Sequence, residues 1–148
     1  LERGEIVNKK KVWTNAAYEM LFEELMRLKH NGTPIGRYGD GWTDRPPGVT
    51  TKEWYEIGET LRRTLIAKGA FSHAQPKSGL AVCQQIAHAT YPSSHPSFAS
   101  MRARLRMIAY YTGFMDMADI VAIETEAKRR RAAKLVDEIT IMEDNTLS

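Results

Sequence analysis

The sequence predicts an all-α fold, a compact body of about four helices followed by a long C-terminal helix of weak heptad character. Two observations carry that prediction. Apolar residues recur at the period of an amphipathic helix in five separate stretches. Capping residues open most of these stretches, and glycines or Gly/Pro-rich loops close them. The helical body is expected over 1–113, and the long helix with its acidic tail over 114–148.

Residues 1–13 read as irregular or as a short strand, with a basic cluster at Lys9, Lys10 and Lys11. The first helix runs from about Asn15 to His30. Thr14 or Asn15 caps it, Tyr18, Leu21, Phe22, Leu25 and Leu28 form its apolar stripe, and Asn31-Gly32 stops it. Residues 32–50 hold five glycines and three prolines, which excludes a helix and leaves a long loop pinned by Tyr38 and Trp42. Thr50 and Glu53 make a capping box for the second helix, which buries Trp54, Ile57, Leu61 and Leu65 and closes at Gly69.

Ser78 opens a third helix with Leu80, Cys83, Ile86 and Ala87 at helical spacing. The chain breaks between Tyr91 and Pro96, and Ser97 opens a fourth helix with Phe98, Met101, Leu105, Ile108 and Thr112 on one face. A last helix from about Asp116 to Met142 places Phe114, Ala118, Val121, Thr125, Lys128, Ala132, Leu135, Ile139 and Met142 on a heptad seam. Thr125 and Lys128 interrupt that seam. A rival stripe through Ile120, Ile123 and Ala127 competes to pack the first half onto the body.

The functional lead is the stretch 78–113, which resembles a helix-turn-helix in order though its break is longer than the usual turn. No acid occurs between Glu59 and Asp116, and the fourth helix carries Arg102, Arg104 and Arg106. Arginine suits nucleic acid because its planar fork meets guanine edges or phosphate oxygens. The expected DNA-contacting set is Lys77, Ser97, Ser100, Arg102, Arg104 and Arg106, with Arg63 extending the positive surface. The alternative is a structural or assembly subunit that acts through protein contacts. In either case Val121, Ala132, Leu135, Ile139 and Met142 are the expected oligomerisation residues, joining copies of the chain or other protein subunits.

Other motifs have plainer accounts. Lys128-Arg129-Arg130-Arg131 reads as a solvated helix surface, with Glu124 and Glu126 four residues before Lys128 and Arg130. The glycines at 36, 39 and 41 lack the Lys-Ser/Thr ending of a phosphate-binding P-loop. Ligand-capable His73, Cys83, His88 and His95 match no zinc spacing, so neither metal nor cofactor is expected. Cys83 lies on an apolar stripe as a small hydrophobe, and Glu53 is explained by its cap. A pocket at the Tyr38–Asp44 loop is the one opening left for enzyme chemistry.

Bulk properties set the frame. The 148 residues suffice for one domain with a real core, and 43% hydrophobic with 26% charged residues is ordinary for a globular chain. A net charge of +3 is only mildly basic, so the distribution of charge matters more than its total. A lone cysteine excludes an internal disulfide and suggests a reducing, intracellular setting. No apolar run approaches a membrane span, and no secretory signal is visible from Leu1 onward.

Overall fold

The computed structural model describes residues 11–33 and 42–147. The expected irregular segment or strand at the start therefore lies outside the described residues up to residue 10. So does the loop from 34 to 41, with Gly36, Tyr38, Gly39 and Gly41. Within the described residues the protein is all helical. Its helices are α1 (Asn15–His30), α2 (Thr51–Ala67), α3 (Gly79–Thr90), α4 (Ala99–Tyr111) and α5 (Met117–Leu147). None is long and apolar enough to cross a membrane.

Three of the starts are fixed by the capping residues that the sequence offers. Ala17 N donates to Thr14 Oγ1 at 3.1 Å, Glu53 N to Thr50 Oγ1 at 3.1 Å, and Ala81 N to Ser78 Oγ at 3.3 Å. Asp116 and Asp119 cap α5 reciprocally, with Asp119 N donating to Asp116 Oδ1 at 2.8 Å. The exception is α4. Its cap is Phe98 rather than Ser97, held at φ 62° with no side-chain cap bond. Gly32, Gly69 and Gly113 follow α1, α2 and α4 at positive φ, where a side chain would be strained.

The core is built from α1 outward. Ala17, Tyr18, Leu21, Phe22 and Leu25 are buried on α1 and meet Trp54, Leu61 and Leu65 of α2, Val82 and Ile86 of α3, and Leu105 and Ala109 of α4. Trp13 stacks on Tyr18 at 5.2 Å, and Phe114 stacks on Phe22 at 5.6 Å, which ties the chain before α1 and after α4 to the same core. Glu24, buried on α1, is held by Arg27 at 3.0 Å and by Lys68 at the end of α2.

Two faces differ from the sequence reading. On α3, Leu80 is exposed while Gly79, Val82, Cys83, Ile86 and Ala89 are inside. The cause is a close crossing of α2 over α3 at Gly58 and Gly79. A methyl group on Gly58 would lie 2.6 Å from Cys83 Sγ and closer still to the Gly79 carbonyl. Gly79 must therefore face inward, which turns Leu80 out. On α4 the stripe is Arg102, Leu105, Arg106 and Ala109, while Phe98 is 64% exposed. The two arginines take inward positions because they satisfy carbonyls that apolar side chains would leave unpaired.

The first half of α5 packs on the body through Ile120, Ile123 and Ala127, the rival stripe, leaving Val121 outside. From 131 to 145 every residue is exposed. This last part is about 22 Å of helix standing clear of the body.

A basic crevice between α4 and α5

Arg102 and Arg106 hold the connection between α3 and α4 in place. Arg102 Nη1 donates to the Ser97 carbonyl at 2.6 Å, and its Nη2 donates to the His95 carbonyl. Arg106 Nε donates to the Ala89 carbonyl at 3.3 Å, satisfying an acceptor in the last turn of α3. Both side chains are almost wholly buried, and Arg106 Nη1 lies 4.0 Å from Glu124 Oε1 across on α5. Burial lowers both guanidinium pKa values. The nearby Arg131 charge lowers that of Arg102 further, while Glu124 raises and Arg102 lowers that of Arg106. Arginine nevertheless stays charged at neutral pH.

These side chains line a crevice of about 190 Å³ between α4 and α5, together with Ser93, Lys128 and Arg131. The lining thus holds four cations and one carboxylate, Glu124. Lys128 and Arg131, three residues apart on α5, reach the same space because the Ala127 stripe turns their flank toward α4. Arg129 and Arg130 leave on other sides and bond Glu126 at 2.9 and 3.0 Å. Arg130 also donates to Tyr91 Oη at 3.1 Å and stacks over its ring.

A larger groove of about 820 Å³ shares Ser93 and Arg102 with the crevice and runs past Trp42, Asp44, Gln84, His88 and Tyr91. Trp42 to Asp44 are the described part of the Tyr38–Asp44 loop, and they form one of its walls. His88 has a lowered pKa, first from burial and second from the Arg102 charge, so the neutral imidazole is favoured there. No cluster of three potential metal ligands occurs among the described residues. Cys83 is buried, its Sγ donating to the Trp54 carbonyl at 3.3 Å, and burial pushes its thiol up to about 11.

The six residues read as DNA contacts are thus divided. Arg102 and Arg106 enter the crevice, and exposed Ser97 and Ser100 stand at the start of α4. Arg104 lies on the other flank of α4, its guanidinium 5.9 Å from the Tyr18 ring. Lys77 is exposed at the opposite end of α3, a helix about 18 Å long. Nor is the acid-free run of sequence acid-free in space. Glu59 pairs with Arg62 at 2.7 Å and Arg63 at 3.6 Å, and Glu24 takes Lys68. Lys128 and Arg131 were hidden in a run of four charges. The usable signal was their shared flank with Glu124, once Ile120, Ile123 and Ala127 are taken as the packed stripe. Comparison with family models, curated proteins and solved structures gave no match.

Proposed function

We propose that the protein is a non-enzymatic, helical DNA-binding protein, a regulator or a component of a nucleoprotein assembly, that grips backbone phosphate at the α4–α5 crevice. The observation that carries this reading is the gathering of Arg102, Arg106, Lys128 and Arg131 around a small cavity with only Glu124 to offset them. Like charges held together cost free energy unless an anion joins them. A phosphodiester oxygen has the charge and size to do so, and exposed Ser97 and Ser100 stand at the start of α4, while Arg104 on the other flank lies outside this grip. The eight residues from 91 to 98 make the pair α3–α4 a looser device than a standard helix-turn-helix. Phosphate contact is accordingly the better supported part of the reading, ahead of base readout.

The test is fluorescence anisotropy with labelled duplex DNA at several salt concentrations. Replacing Lys128 and Arg131 together by alanine is expected to weaken binding and to flatten the slope of log affinity against log salt by roughly two. An unchanged affinity and slope would overturn the crevice as the phosphate site. A second reading, an assembly subunit with no nucleic-acid role, is favoured by one feature. Leu135, Val136, Ile139, Ile141 and Met142 are 47–67% exposed on the free part of α5. Absence of binding at low salt would select it.

A further inference from the structure

We infer that the free part of α5 pairs antiparallel with the same segment of a second copy of this chain. Such a pair supplies the partner for the assembly reading, and it draws on Arg131, which also lines the crevice.

Charge along the helix is the first ground. Lys128, Arg129, Arg130, Arg131 and Lys134 precede Asp137, Glu138, Glu143 and Asp144, so one half is basic and the next half acidic. Among the described residues, Lys128, Arg131, Lys134 and all four acids have no ion-pair partner within 4.0 Å. Two copies running in opposite directions bring basic half to acidic half twice over. Two copies running in the same direction bring like to like.

The apolar surface agrees. Ala132, Leu135, Ile139 and Met142 form one exposed strip at 3- and 4-residue spacing. Projection at 3.6 residues per turn puts Arg131 and Glu138 on one flank of that strip, and Arg129 and Glu143 on the other. In an antiparallel pair each flank meets its own counterpart, so a flank with one cation and one anion complements itself. In a parallel pair opposite flanks meet, and Glu138 faces Glu143 of the second copy. Residues 128–145 of two copies would bury about 1,000 Å², the low end for a specific interface, which suits a reversible dimer.

Light scattering across a concentration series reads the mass, and cross-linking reads the direction. Lys128→Cys and Met142→Cys chains are each treated with a short bis-maleimide, alone and mixed, with buried Cys83 left in place. The expected result is a dimer that cross-links in the mixture and not in either chain alone, since like positions lie about 20 Å apart in the antiparallel pair. Glu138→Lys/Glu143→Lys should loosen the dimer at least tenfold, and adding Arg129→Glu/Arg131→Glu should restore it. Cross-linking within each variant alone would overturn the orientation and keep the assembly reading. Wild-type chain that stays monomeric at hundreds of micromolar would overturn the pairing itself and leave that reading only a different protein as partner.

Discussion

At the scale of the residue, the three arginines of α4 separate into two jobs. Arg106 replaces a missing helix donor for Ala89, so its loss leaves a buried carbonyl unpaired. Arg106→Met, which keeps the volume, is expected to cost about 1–3 kcal/mol in urea denaturation. Arg104→Ala, on an exposed side chain over Tyr18, should change stability by less than about 1 kcal/mol. A measured loss of the same size in both would contradict the division. Sequence spacing put Arg104 and Arg106 on opposite flanks of the apolar stripe, with Arg102 close to its margin, but gave no sign of which would turn inward. That choice depends on carbonyls at Ala89, His95 and Ser97, and a carbonyl left open by a loop has no signature in residue type.

At the scale of the element, helix starts and stops were the most legible features. Thr14, Thr50 and Ser78 cap where local chemistry says they should, because a cap is decided within four residues. Faces were less legible where two helices meet without side chains. The α2–α3 crossing at Gly58 and Gly79 turns α3 away from the face that its apolar pattern suggests. Gly58→Ala is expected to destabilise by about 1–3 kcal/mol, read as a lower urea midpoint, because the added methyl group meets backbone and Cys83.

On α5, Arg129 and Arg130 hold the Glu126 carboxyl down to about 2 from its usual 4.5, by hydrogen bonds from Arg129 first. A lowered carboxyl pKa gives stability that is present above the unfolded value and lost as pH falls through the folded one. The link of α5 to Tyr91 through Arg130 should therefore weaken between about pH 4.5 and 2. Amide exchange near residue 126 would show it, and Glu126→Gln should remove the pH dependence.

At the scale of the whole molecule, charge is arranged by the fold more than by the sequence. Arg62, Arg63 and Lys68 are met by Glu59 and Glu24, whereas Arg102, Arg106, Lys128 and Arg131 share one crevice in which Glu124 is the sole acid. Reading along the chain missed this because Arg106 and Lys128 are remote in sequence and meet only through the packing of Ile120, Ile123 and Ala127. The same packing ends at about residue 130, so α5 is one continuous helix with two environments. Its first turns take their order from the core, and its last turns must draw theirs from helix propensity or from a neighbour.

The buried thiol gives the protein a built-in clock for its own opening. Cys83 lies under the Gly58–Gly79 crossing, with its pKa raised to about 11, so almost none of it is thiolate at neutral pH while the core is closed. A thiol reagent can then react only in molecules whose α2 and α3 have parted, where the sulfur regains its ordinary acidity. The rate of that reaction counts how often the two helices separate, without any label or substitution. Any ligand or second copy that slows it must be tightening the body itself, even if it binds at the far end of α5.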